Sequence, residues 1–149
     1  MTEDVIKALA KALNGALAER KKEYTIYTEN VEQELKRPCF FIYCTNYKDE
    51  LYRGKRYKLS TNTVIEYMPP KPEDDRETNR NVNNILPKLY DITEMIEVDG
   101  NLLRGLDRSV ENTDGGVVFN VRYEYFYYKN EDIDKMEILK QEGAVNNGN

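Results

Sequence analysis

The sequence predicts an α+β domain with two helices packed on one face of a mostly antiparallel sheet. Three patterns in the 149-residue chain lead to this prediction: a long strand near residues 117–127, a long hairpin over residues 39–67, and two segments whose apolar residues recur every three or four positions. A sheet with one apolar face needs a second layer to cover it, and two amphipathic helices supply that layer.

The strand near residues 117–127 alternates strictly. Its apolar positions are Val117, Phe119, Val121, Tyr123, Tyr125 and Tyr127. Asn120, Arg122 and Glu124 fall between them. Because successive side chains of a strand point to opposite faces, the pattern predicts one buried face and one largely hydrated face.

Residues 2–22 predict the first helix. Leu9, Leu13 and Leu17 recur at helical spacing, and Glu3 and Asp4 suit the positive first turn. Gly15 weakens the interior of such a helix, and it either marks a site of close packing or has no particular role. A short strand follows at residues 24–28, where β-branched residues alternate with tyrosine.

A long hairpin is predicted over residues 39–67. Its strands are residues 39–46 and 57–67, and residues 47–54 form a charged tip between them. Pro69 and Pro70 end the second strand, because proline cannot extend the hydrogen-bond ladder.

Residues 72–91 predict the second helix, in which Val82, Ile85 and Leu89 mark the buried side. Pro87 conflicts with a regular helix, so we expect a kink or an early end there. Residues 94–106 suggest a strand that pairs with the run at 117–127 through a turn at 113–116. We expect residues 1–140 to form one domain and residues 141–149 a flexible C-terminal tail.

Composition excludes several classes of function. The chain has no histidine, which removes Ser-His-Asp and Cys-His catalysis and His-ligated zinc. The net charge of −5 argues against a dedicated nucleic-acid binder, and no stretch is apolar enough to span a membrane. No phosphate-binding glycine motif is present. The sequence therefore predicts no catalytic residues, no metal ligands and no cofactor-binding residues.

Cys39 and Cys44 are predicted to be reduced, buried thiols. In one strand their odd spacing places them on opposite faces and too far apart for a disulfide. This favours a protein assembled in the cytoplasm.

Four acidic residues at the start of the second helix, Glu73, Asp74, Asp75 and Glu77, allow two interpretations. A divalent metal site is one, and stabilisation of the helix N-terminus is the better one.

The hairpin tip and the tyrosines are the candidate contact elements. The tip carries Lys48, Arg53, Lys55, Arg56 and Lys58 against Asp49 and Glu50, a local excess of +3. It suits either an acidic partner or plain solvation. The chain has 12 tyrosines and no tryptophan. Six tyrosines lie on predicted strands, namely Tyr43, Tyr57, Tyr67, Tyr123, Tyr125 and Tyr127. A role at an interface is favoured slightly over simple strand preference.

Taken in order, these segments resemble the small tail-terminator, or tail-completion, proteins of tailed phages and of phage-tail-like particles of Gram-positive bacteria. The resemblance covers roughly residues 1–140. Its most specific pieces are RPCFFIY, the stretch from Lys55-Arg56-Tyr57 to Tyr67-Met68-Pro69-Pro70, and VRYEYF near the end.

The resemblance implies a homohexameric ring at the head-proximal end of the tail tube, part of the virion tail. Such a ring stops polymerisation of the tube and offers a joining surface to the neck or connector protein. The tail tube protein and possibly a sheath protein are the other implied partners, and the genome passes through the ring without sequence-specific contact. Neither a cofactor nor a membrane is implied. The interface residues expected on this basis are Lys48, Arg53, Lys55, Arg56, Lys58, Arg122, Glu124 and Phe126.

Two alternatives remain open. One is another head–tail joining or minor tail morphogenesis protein built on the same small fold. The other is an enzyme that uses carboxylates alone, such as a metal-dependent hydrolase, which the composition disfavours.

Overall fold

The computed structural model of the protein describes residues 2–18, 24–28, 36–70, 75–113 and 115–129. These residues form two helices and seven strands. Their bounds are α1 Thr2–Ala16, β1 Thr25–Tyr27, β2 Cys39–Arg53, β3 Arg56–Met68, α2 Asp75–Glu94, β4 Met95–Val98, β5 Asn101–Arg104, β6 Leu106–Thr113 and β7 Gly116–Tyr128. The predicted α+β class is confirmed.

The main sheet has five strands in the order β1-β2-β3-β7-β6, and β4 and β5 form a separate two-stranded sheet. Only the β1–β2 pair is parallel. The other pairs are antiparallel, as predicted. The strand β7, which carries the alternating run, lies inside the sheet between β3 and β6.

The core lies between the helices and one face of the main sheet. Val5, Leu9 and Leu13 of α1 have no exposed surface, because they recur every fourth residue and share one side of the helix. From α2, Val82, Ile85 and Leu89 enter the same cluster. The sheet contributes Phe40, Ile42, Ile65, Tyr67, Val117, Phe119, Val121 and Tyr123. We call this face the helix-side face and the opposite one the outer face.

The first helix is shorter than predicted. It ends at Ala16 instead of continuing to Lys22, and residues 19–23 lie outside the described part of the chain. Gly15 is exposed, and a Cβ added there would meet no atom within 4 Å. Of the two interpretations of Gly15, close packing is therefore excluded.

The second helix continues through Pro87 to Glu94, so the expected early end is wrong. Pro87 is exposed. The Asn83 carbonyl, which loses its helical partner because proline has no N–H, is on an exposed residue that water can reach.

The strand predicted over residues 94–106 is two strands. Asp99 and Gly100 both have positive φ angles, 52° and 79°, and turn the chain between β4 and β5. Ile96 pairs with Leu103, and both are buried. The partner of β7 is instead β6, which reaches it through the predicted turn near residue 115.

The segment predicted as a charged tip is itself paired strand. The β2–β3 ladder continues to the Arg53–Arg56 pair, and only Gly54 and Lys55 form the turn. Gly54 has a φ of 58°, a conformation that glycine adopts without steric cost.

An irregularity in β2 changes which side chains share a face. Cys44 pairs with Thr63 and Asn46 pairs with Asn62, so Thr45 is an extra residue. Before this bulge the even-numbered residues Phe40 and Ile42 lie on the helix-side face. Beyond it the odd-numbered residues Tyr47, Asp49 and Leu51 lie there instead, because they pair with Thr61, Leu59 and Tyr57 of β3.

Several predictions fall on residues outside the described part, namely the tail at 141–149 and the acidic residues Glu73 and Asp74. In the described residues, neither helix is long and apolar enough to cross a lipid bilayer.

Candidate assembly surface

Three strands extend beyond the rest of the sheet as an arm. The pairing of β1 with β2 stops at Phe41, and that of β6 with β7 starts at Arg122. We define the arm as residues 46–62 and 122–128. Within the described residues, only β2, β3 and β7 pair there, apart from the Leu106–Arg122 pair of β6 and β7 at the base of the arm. From Asn46 to Arg53 the arm is about 25 Å long at the usual rise of a strand.

The outer face of the arm carries a network of charged side chains that crosses four strands. Glu124 lies at its centre: an oxygen of its carboxylate lies 2.6 Å from Arg122, 3.5 Å from Lys58 and 3.2 Å from the Ser60 hydroxyl, which donates to it. Arg122 donates two hydrogen bonds to Asp107 of β6, at 2.7 and 2.9 Å.

The network continues to β2 through Glu50. Its carboxylate lies 3.6 Å from the Lys58 ammonium and 3.6 Å from the Lys48 ammonium. The hydrogen bond to Asp107, together with the charge of Glu124, raises the pKa of Arg122 above its ordinary value, although burial opposes this. Half-exposed pairs of this kind stabilise a fold by about 1 kcal/mol or less each, so the network mainly fixes the positions of its side chains.

The end of the arm carries a cluster of one arginine and two aromatic rings on the outer face. The Arg56 guanidinium lies 4.2 Å from the Phe126 ring centre and 5.7 Å from that of Tyr52. The two rings meet edge to face at 4.8 Å. Arg56 Nε is buried and has no hydrogen-bond partner in the described part of the chain. The contact with the two rings holds the guanidinium in place.

The helix-side face of the arm is lined with tyrosine. Tyr57 and Tyr127 stack at 5.6 Å, and the Tyr127 hydroxyl donates a 2.6 Å hydrogen bond to Asp49. That bond is the main cause that raises the pKa of Tyr127 to about 12. Burial raises the pKa of Tyr125 to about 12. These phenols are therefore neutral at physiological pH and act as hydrogen-bond donors.

The tyrosines divide between core and surface. Tyr67 and Tyr123 are buried, 8% and 1% exposed, so an interface role is wrong for these two. The Tyr123 hydroxyl donates to the Thr93 carbonyl oxygen at 2.9 Å, and burial raises its pKa. Tyr43 is half-buried on the outer face and donates to Glu66 at 2.7 Å. Burial and this bond raise the pKa of Tyr43 to about 12.

The structure brings the predicted interface residues together on one arm. Lys48, Lys58, Arg122 and Glu124 share the charged network, Arg56 and Phe126 share the aromatic cluster, and Arg53 and Lys55 lie at the turn. Glutamates neutralise Lys48 and Lys58. Within the described residues no carboxylate pairs with Arg53 or Arg56 at the end of the arm.

Three residues of this surface were missed by the sequence analysis. Tyr52, an exposed residue at the extra position of a second bulge, contacts Phe126. Asp107 has a positive φ of 49° and reaches Arg122 from a bulge in β6. Leu51 is 59% exposed on the helix-side face. A bulge leaves no mark in an alternating pattern, so the sequence held no signal for the first two.

In the described residues, no group of three or more acidic or cysteine side chains could hold a metal ion. Cys39 is buried and free, and burial raises the pKa of its thiol, which makes it less reactive.

Comparison with known proteins assigns a family. One solved structure aligns with 87% of this chain and 96% of its own length, at 12% identity and a TM-score of 0.44. No curated protein matches the chain. The family model described as phage tail terminator protein matches residues 4–135. This match includes α1 from its third residue, all seven described strands and α2, and it confirms the resemblance seen in the sequence. The chain therefore belongs to the phage tail terminator protein family, a family of structural tail proteins and not of enzymes.

Proposed function

We propose that this protein caps the head-proximal end of a phage tail tube as a homohexameric ring. The ring ends polymerisation of the tube and forms the surface to which the neck or connector protein joins. Family membership supplies the tail-completion role. The finer assignment is supported by the arm, which presents exposed aromatic and basic side chains on strands that extend beyond the rest of the sheet.

The observation that carries this proposal is the arm's exposed apolar surface. Tyr47, Leu51 and Tyr52 are 55%, 59% and 56% exposed, and Tyr128 is 73% exposed. Clustered apolar surface on a soluble subunit marks an interaction site. Tyrosine and arginine together are the side chains most enriched at the centres of protein interfaces.

The test measures the mass of the purified protein alone and after mixing with tube protein. A hexamer in solution, or rings seen by electron microscopy only on tube ends, together with shorter tubes when the protein is added during polymerisation, supports the proposal. A strict monomer that ignores the tube but binds a portal or connector protein would instead favour another head–tail joining protein. Metal-dependent hydrolysis that is lost on Asp74→Ala would contradict both assignments.

A further inference from the structure

The exposed large apolar side chains form two separate groups. Five lie on the arm: Tyr47, Leu51, Tyr52, Phe126 and Tyr128. The other three, Tyr90, Met95 and Leu102, lie at the end of α2 and on the β4–β5 hairpin. The second group is 37–69% exposed and belongs to the body of the subunit.

A groove lies between α1 and the β4–β5 hairpin, next to the second group. Ala8 and Ala12 of α1 and Met95 of β4 give it apolar walls, and Glu97 and Asp99 line the hairpin side. Its cavity volume is about 520 Å³. This lies within the range of roughly 300–1,000 Å³ typical of sites that enclose a small ligand. It has room for large side chains that carry positive charge.

The charges of the groove and the arm are opposite. Glu97 and Asp99 are exposed, as is Glu94 beside Met95, and Lys11 is the one cation among the groove's lining residues. The hairpin tip holds an excess of +3 in a chain of net charge −5, so the rest of the chain carries −8. Arg53 and Arg56 at the end of the arm have no carboxylate partner in the described residues.

A subunit's own arm does not suit its own groove. The β2–β3 and β3–β7 ladders are continuous to the Arg53–Arg56 and Arg56–Tyr128 pairs. Folding the arm back onto α1 would break these pairs and expose backbone groups that the ladder now satisfies. The occupant must come from another molecule.

We propose that the end of one copy's arm binds in the groove between α1 and the β4–β5 hairpin of the next copy. Tyr52 lies against Ala8, Ala12 and Met95, and Arg53 and Arg56, on the same outer face of the arm, face Glu97 and Asp99. The arm and the groove are different surfaces, so the contact is head-to-tail and closes into a ring when its rotation permits. This inference rests on the proposed ring and names the surfaces that build it.

Charge reversal tests this pairing. R53E/R56E and E97K/D99K are each expected to raise the protein concentration needed for half-assembly at least about tenfold, because desolvated charge pairs contribute 1.4 kcal/mol or more. The chain that carries all four substitutions restores the opposite charges and is expected to recover assembly. Analytical ultracentrifugation measures the concentration at half-assembly for each variant, and circular dichroism establishes that each variant is folded.

Two controls separate charge pairing from general damage. Glu111→Lys makes the same change on the exposed side of β6 and should leave assembly unchanged. Lys11→Glu adds a carboxylate to the groove and should strengthen assembly. Assembly that is unaffected by all the reversals, or not recovered by the fourfold variant, overturns the inference.

Cross-linking gives a second, independent measurement. Tyr52→Cys and Ala12→Cys are made in separate chains that are mixed under oxidising conditions, and a disulfide-linked dimer that neither chain forms alone supports the contact. The natural chain controls for Cys39 and Cys44. Rings that form without this cross-link overturn the inference and leave the proposed function standing. Absence of rings, alone or on tube ends, overturns the proposed function, whereas the cross-linked dimer still reports on the contact.

Discussion

Three strands, β2, β3 and β7, run through both the body of the sheet and the arm, but the two regions use their residues differently. On β7, Phe119 in the body has no exposed surface and meets Tyr90 edge to face at 4.9 Å. Seven residues further on, Phe126 in the arm is 39% exposed and lies under Arg56. One strand therefore contributes a buried core side chain at its first end and an exposed aromatic side chain at the other. Mutations in the two regions should separate folding from assembly.

The two phenylalanines give the largest expected difference. Phe119→Ala should lower the free energy of unfolding by about 3–5 kcal/mol, because it leaves a cavity in a closed core. Phe126→Ala should cost about 1 kcal/mol or less, because water already reaches the ring. Urea denaturation followed by circular dichroism measures both. Equal losses would show that the arm is part of the folding core.

Glycine substitutions sharpen the comparison at the backbone. A Cβ at Gly116 in the body would lie 2.3 Å from the Tyr67 carbonyl oxygen, so Gly116→Ala should cost about 1–3 kcal/mol. At Gly54 in the arm a Cβ meets open space, but φ is positive, so Gly54→Ala should cost about 1–2 kcal/mol. Gly54→Asn should be more stable than Gly54→Ala, since asparagine tolerates a positive φ. Gly116→Asn should be no more stable than Gly116→Ala. Thermal unfolding of the four variants tests the pattern.

The charged network should give a smaller effect that depends on salt. Glu124→Gln removes the carboxylate that pairs with Arg122 and Lys58 and should cost about 1 kcal/mol at low ionic strength, and less at 1 M salt. Glu3→Gln is the matched change at an exposed helical pair with Lys7, and it should cost about 0.5 kcal/mol or less. Urea titrations at two salt concentrations measure both. A salt-independent loss at Glu124 would mean that packing, not charge, explains it.

The smallest expected effect on the free energy of unfolding comes from the titration of a single tyrosine of the arm at alkaline pH. The folded pKa of Tyr127, about 12, lies above the ordinary 10.0. The stability this provides is present below pH 10 and is lost as the pH rises from 10 through 12, because the unfolded chain releases the proton first. Stability measured between pH 9 and 11.5 should fall, and Tyr127→Phe should make the fall shallower. An unchanged slope in that variant would contradict the role of the Asp49 hydrogen bond.

Much of the fold could be predicted from the spacing at which apolar residues recur in the sequence. The alternation at Val117, Phe119, Val121 and Tyr123 identified the buried face of β7, because each of these residues lies over the helices. The helix stripes at Leu9, Leu13 and Leu89 were identified in the same way. Chain ends and turns were less predictable: α2 passes Pro87 because that residue is exposed, which no local pattern reveals.

The candidate surface was predictable only in part. Alternation placed Arg122 and Glu124 on the face opposite the core, and their exposed fractions of 30% and 26% agree. Their partners Glu50 and Asp107 depend on strand register, which bulges in β2 and β6 reset. Register is a property of paired strands, so a single strand's sequence cannot report it.

The bulge at Thr45 has a consequence for how this strand changes in evolution. It acts as a phase shift within one continuous strand: positions before it and positions after it obey opposite parity. Deleting Thr45 would make Cys44–Thr63 and Asn46–Asn62 consecutive pairs, so Tyr47, Asp49 and Leu51 would keep their present partners and their place on the helix-side face. Loss of this one codon would thus straighten the strand without changing which side chains share a face, whereas loss of a codon further along the arm would exchange the faces of the residues beyond it.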